Sequence, residues 1–176
     1  MKLKLIPGLS LFLLLGALSS CEKEDPEVTY TATYPVSGEW WVTYKVETSP
    51  GVFEDVEHVG YTPLLTYNTA ANTASQIWVD DRGNFKNYKV RSGLDMSKLS
   101  FAVNEAVNTA LDEDAKPVDG NVTIQDGKVF IGSGLSRSKV KTDSIYFRVE
   151  FSDDPGTTYH VSGHRRTGFP EDDYKD

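Results

Sequence analysis

Serine, histidine, cysteine and carboxylate side chains can do covalent or acid–base chemistry, and this chain places few of them where they could cooperate. Gly132-Ser133-Gly134-Leu135-Ser136 has the small residues of a nucleophile turn, but the Gly-x-Ser-x-Gly order is absent. A predicted β-hairpin, not a strand entering a helix, precedes it, so it reads as a flexible loop. The histidines are His58, His160 and His164. On one strand His160 and His164 would share a face about 13 Å apart at ~3.3 Å per residue, too far to hold one metal. Carboxylates recur in Asp80-Asp81, Asp112-Glu113-Asp114, Asp153-Asp154 and Asp172-Asp173. None has the alternate-residue oxygen spacing of an EF-hand loop, and a glycosidase pair is defined by a gap in space that spacing does not set. They read as solvated turn acids. The sequence therefore predicts no catalytic set, no metal and no cofactor.

The aromatic residues are the better candidates for a site. Trp40, Tyr44, Tyr88, Phe147 and Tyr159 are expected to point inward. Such rings either pack a core or line a mostly apolar pocket with a few polar anchors, and both readings stay open.

The elements that must position these rings are strands. From Tyr30 onward the apolar period is two, and turn residues recur about every ten positions, the pattern of short antiparallel strands. Trp40, Val42, Tyr44 and Val46 share one face of the first strand, while Thr43, Lys45 and Glu47 share the other. Ser49-Pro50-Gly51 leads to a second strand through Val52, Asp55, Glu57 and Val59, and a third runs from Leu64 to Tyr67. Gln76–Asp81 and Asn84–Val90 are expected to join through Asp81-Arg82-Gly83. Asp126-Gly127 is the strongest hairpin signal, between Val122–Gln125 and Lys128–Ile131. A last hairpin pairs Ser144–Phe151 with Thr157–Arg166. Leu94–Leu111 is ambiguous: Asp95 could cap a short helix, but Leu99, Phe101 and Val103 alternate, which favours a strand followed by an acidic loop. About eight to ten strands in one domain predict an all-β, antiparallel up-and-down barrel.

The N-terminus reads as a targeting segment. Lys2 and Lys4 precede the short apolar run Leu9–Leu18, a secretory signal too short to span a bilayer. Leu18-Ser19-Ser20-Cys21 resembles the bacterial lipobox, which implies cleavage before Cys21 and acylation of its thiol and amine. Multiple acyl chains would anchor the chain stably where one would not. Cys21 is the only cysteine, so the rest of the chain can form no disulfide. The run Lys23-Glu24-Asp25 resembles the export signal of Bacteroidetes lipoproteins, which implies display outside the outer membrane.

These readings divide the chain into a signal peptide (1–20), a lipidated acidic tether (21–35), a barrel (36–170) and a polar tail (171–176). The signal carries two lysines and no acid, so its removal takes the formal charge from −8 to −10. An acidic surface repels phosphate backbones and anionic headgroups, which argues against nucleic acid as a partner.

Two further resemblances follow, one from a short motif and one from longer strings. Gly38-Glu39-Trp40 resembles the Gly-x-Trp of lipocalins, where the Trp plugs one barrel end beneath an Arg of the last strand. Strand parity makes Arg165 that Arg and leaves Arg166 outside. A guanidinium over indole contributes on the order of 1 kcal/mol. Ile77-Trp78-Val79-Asp80-Asp81, Asp143-Ser144-Ile145-Tyr146-Phe147 and Gly163 through Tyr174 are similar to the Bacteroidetes family called lipid-binding putative hydrolases. That resemblance implies a lipocalin-like barrel on an outer-membrane lipoprotein. It carries no catalytic residue onto this chain. The expected function is binding of a small hydrophobic or lipid-like ligand. An accessory role in an outer-membrane uptake complex, which exposed Trp41 and Trp78 would favour, and an ester or lipid hydrolase are the alternatives.

Overall fold

The computed structural model describes residues 27–174, so Cys21 and Lys23-Glu24-Asp25 lie outside the described residues. Among the described residues nine antiparallel strands form one sheet: β1 (Gly38–Ser49), β2 (Val52–Glu54), β3 (Thr62–Asn68), β4 (Gln76–Asp80), β5 (Lys89–Asp95), β6 (Ser100–Val107), β7 (Asn121–Leu135), β8 (Lys141–Phe151) and β9 (Tyr159–Arg165). Neighbours follow chain order from β3 to β9, and β9 pairs back onto β1, with Trp40 opposite Arg165 and Val46 opposite Tyr159. Eight strands thus close an up-and-down barrel. β2 is an extra, exposed strand hung on the end of β1. Closure leaves no free sheet edge around the barrel.

Period-two alternation explains the main strands. Val42, Leu64, Val79, Val90, Ile145, Val149 and Val161 are all buried on the inner face.

Three expectations fail for identifiable reasons. The second strand stops at Glu54, because the Asp55 carboxylate accepts from the Val59 and Gly60 N–H groups (3.0 and 2.7 Å) and folds Asp55–Gly60 into a turn. The strand expected from Asn84 starts only at Lys89. Here Asp81 accepts from the backbone N–H groups of Gly83, Lys86 and Tyr88 at 2.9–3.0 Å, and of Phe85 at 3.3 Å, so residues 82–88 form a side-chain-pinned loop.

Asp126-Gly127 is not a hairpin but a bulge inside the single strand β7. Gln125 faces Arg148 and Lys128 faces Tyr146, one residue more on β7 than on β8. Asp126 sits at φ 55°, and a Cβ on Gly127 would lie 2.4 Å from the Phe101 carbonyl oxygen. The dipeptide meets the chemistry of both a tight turn and a bulge, and strand length decides between them. In the ambiguous stretch, Asp95 caps a turn through the Ser97 and Lys98 N–H groups, and the strand β6 follows.

The ends of the barrel are built differently. One end, here the floor, gathers the entry to β1, the β3–β4, β5–β6 and β7–β8 connections and the segment after β9. The other, the roof, gathers the loops after β1, β4, β6 and β8. The stretch expected to end the tether is part of the floor: Thr33 is fully buried and shares a 2.6 Å hydroxyl bond with Ser37, at the start of the expected barrel. The stretch expected as a polar tail is seated too, with Asp172 fully buried.

Candidate functional site

The five inward aromatics are all found inside the barrel. Trp40, Tyr44, Tyr88, Phe147 and Tyr159 are each no more than 1% exposed, and so tight a fit leaves no lipid-sized void among them. The Tyr44 and Tyr88 hydroxyls bond to each other at 3.1 Å. Burial pushes both phenols well above their ordinary pKa, so they stay neutral hydrogen-bonding groups and offer no acid–base chemistry near neutrality. Phe85, from the Asp81-pinned loop, closes the roof over them. Its ring stacks on Tyr44 at 4.4 Å and meets Tyr159 edge-on at 5.0 Å. The Tyr159 hydroxyl donates to Asp154 at 2.6 Å. Burial first, then the Asp154 carboxylate, raise its pKa.

The floor is closed by Trp40 and Arg165. The guanidinium lies 4.4 Å from the indole centroid, with Arg165 Nε donating to Asp143 at 3.0 Å and the two Nη groups to the carbonyls of Ser37 and Pro35. Trp40 Nε1 donates to Thr66 Oγ1 at 2.8 Å, and the Thr66 hydroxyl in turn donates a hydrogen bond to the Val36 carbonyl at 2.6 Å. Gly38 is required here: a Cβ at this position would fall 2.0 Å from Arg165 Nη1. The Gly-x-Trp spacing therefore makes room for an arginine that arrives more than a hundred residues later.

An accessible, largely apolar cleft lies outside the barrel. Trp41, Pro63 and Leu65 stand on the outer face of β1 and β3, and Pro170 and Tyr174 come over them from the C-terminal segment. Tyr174 packs edge-on against Trp41 at 5.4 Å and stacks on Tyr61 at 4.1 Å. Asp172 fixes this segment by accepting from the Ser138 N–H and the Thr167 hydroxyl, both at 2.7 Å. Burial alone would raise the Asp172 pKa, but these bonds outweigh it and hold the carboxyl well below the usual range. Asp173 accepts from Trp41 Nε1 and takes two bonds from Arg166, at 2.7 and 2.6 Å.

The resulting space is about 430 Å³, within the range of small-molecule sites. Glu39 and Arg166, paired at 2.9 Å, line its polar side. Arg82 also lines it and has no carboxylate partner among the described residues. An apolar wall with one unengaged guanidinium suits an amphipathic molecule carrying an anionic head.

Sequence reasoning missed this cleft. Trp41 is an apolar residue on the face that otherwise carries Thr43 and Lys45, which was an available signal. Its partner Tyr174 is more than a hundred residues away and could not be read from spacing. Trp41 is only 8% exposed beneath Tyr174, and Trp78 is half-buried under Lys89, whose Nζ lies 5.4 Å from the ring centroid. Neither Trp is the exposed interaction residue that an accessory role would have favoured.

The other chemistry-bearing residues stay apart. Ser133 is exposed on β7 and bonds only to the Ile131 carbonyl, at 3.3 Å. His160 pairs with the Tyr146 hydroxyl at 2.9 Å and His164 with that of Tyr174 at 3.4 Å. Among the described residues no serine hydroxyl bonds to a histidine, and no three metal-ligating side chains converge. No helix among them is long and apolar enough to cross a membrane.

No individually curated protein matches the sequence. The family model for lipid-binding putative hydrolases matches residues 25–170, which takes in every strand of the barrel and the C-terminal segment as far as Pro170, and the chain belongs to that family.

Proposed function

We propose that the protein is a lipid-anchored β-barrel that holds a small hydrophobic or lipid-like ligand in the outer cleft over β1 and β3. The observation that carries this reading is the pairing of an apolar wall, Trp41, Leu65 and Pro170, with the unengaged guanidinium of Arg82. The barrel interior is a core and supplies the rigid wall on which the cleft is built. Family membership supports a lipid as ligand. The lipobox-like Leu18-Ser19-Ser20-Cys21 supports an acyl anchor at Cys21, and Lys23-Glu24-Asp25 supports display on the exterior of an outer membrane, where an uptake complex would be the partner.

Titration of the purified mature chain with oleate, followed by tryptophan fluorescence, tests the ligand site. Saturable binding is expected, weakened about tenfold by Arg82→Glu, as one charge-assisted bond requires, and abolished by Leu65→Arg. Binding indifferent to both substitutions, or turnover of an ester panel, would overturn the reading. The mass of the protein extracted from membranes tests the anchor: acyl chains on Cys21 are expected, and an unmodified thiol counts against them.

A further inference from the structure

The arm formed by the end of β7 and the start of β8 differs in charge from the rest of this acidic protein. Between Gly127 and Thr142 there are four bases, Lys128, Arg137, Lys139 and Lys141, and no acid. All four are exposed. Among the described residues, none of them pairs with a carboxylate, although Arg137 is held over Tyr174 and donates to the Asp173 carbonyl. The same arm exposes Phe130 (40%), Ile131 (54%), Leu135 (57%) and Val140 (42%). Basic and apolar side chains on one projecting arm match a bilayer interface, where the lysines meet phosphates and the apolar groups enter the headgroup region.

Position supports the same partner. Ser144 lies beside His164, and His164 beside Trp41, so this arm leaves the barrel at the end where the chain enters β1. Of the carboxylates at that end, Asp95, Asp143 and Asp173 are bound to Lys98, Arg165 and Arg166, and Asp172 is buried. Among the described residues, Glu39 at that end is exposed but paired with Arg166, and Glu27 and Glu171 are the exposed exceptions. At the opposite end Glu54, Glu57, Asp112, Glu113, Asp114, Asp119 and Asp153 are exposed. That end is repelled by anionic lipid.

We propose that the Lys128–Lys141 arm docks on an anionic lipid surface and holds the barrel floor-first against it. The arm's contact stands on its own residues. Only its orientation toward the chain's own membrane rests on the anchored reading above.

The test uses the mature chain with Cys21→Ser, which has no acyl group, sedimented with phosphatidylcholine vesicles with and without phosphatidylglycerol. Binding is expected only to the anionic vesicles and should fall as salt screens the lysines. Lys128→Glu/Lys139→Glu/Lys141→Glu should weaken it about a hundredfold, from roughly tenfold or less per basic residue. The milder triple Gln variant should weaken it less, and thermal melts of both variants report that the barrel is intact. Equal binding to neutral vesicles, or anionic binding untouched by either triple variant, overturns the proposal. So does loss of a crosslinked acidic protein in the variants with vesicle binding unchanged. Failure of Cys21 to carry acyl chains would leave the vesicle result standing, so the two readings fail separately.

Discussion

The two ends of the barrel are both closed, but by devices of different kinds. At the floor the plug is borne by strands: Trp40 belongs to β1 and Arg165 to β9, the pair whose ladder closes the barrel. At the roof the plug is borne by a loop: Phe85 is carried on residues 82–88, whose shape depends on one carboxylate, Asp81. A strand-borne plug cannot leave without unzipping the sheet, whereas a loop-borne one needs only local opening. The roof is therefore the end at which the interior can be reached.

The contrast can be broken most strongly at the floor. Arg165→Ala removes the stack on Trp40, takes the donor from Asp143 Oδ2 and two backbone carbonyls, and leaves Asp143 only the Gly132 N–H. A loss of about 3 kcal/mol is expected for such a largely enclosed pair, or roughly 6–12 °C in melting temperature for a domain of this size. A change under a degree would mean that the stack is ornamental.

Phe85→Ala comes next. The ring is half-buried, so about 2 kcal/mol is expected, with faster hydrogen exchange confined to residues 82–88 and new binding of an apolar dye at the roof. Dye binding without loss of exchange protection at β1 and β9 would sharpen the contrast. Exchange rising equally at both ends would erase it.

Acid should separate the ends most gently. Asp154, at the roof, is held below its ordinary value by the Tyr159 and Thr157 hydroxyls, and Asp172, at the floor, is held further below by Ser138 and Thr167 against the cost of burial. Both carboxylates have lower pKa values folded than unfolded. The stability they contribute is present above about pH 4 and is lost as pH falls through each folded value. The Tyr159 environment should therefore change at higher pH than that of Trp41 and Tyr174, as followed by NMR. The reverse order would count against the assignment.

Much of the barrel was legible in local pattern because strand faces are set by alternation alone. Trp40, Tyr44, Phe147 and Tyr159 were placed inward on parity, and Arg165 was separated from Arg166 in the same way. The misread segments are those where a side chain or a distant element overrides the local rule. Asp81 takes the N–H groups that residues 83–88 would have given to a neighbouring strand. Phe101 and β8 make Asp126-Gly127 a bulge where a turn was expected. The cleft was not legible, because Trp41 and Tyr174 meet only once the chain has gone round the whole barrel.

The bulge at Asp126-Gly127 also acts as a parity switch. Before it, Val122 and Ile124 point inward on even positions; after it, Val129 points inward on an odd one. Deleting one residue of the pair would leave a regular strand with both halves facing as they do now, whereas pulling the bulge straight with both residues kept would drive Phe130 toward the core and Val129 into water. The surplus residue must therefore be held out of the ladder for both halves of the long ribbon to keep their apolar side from the solvent.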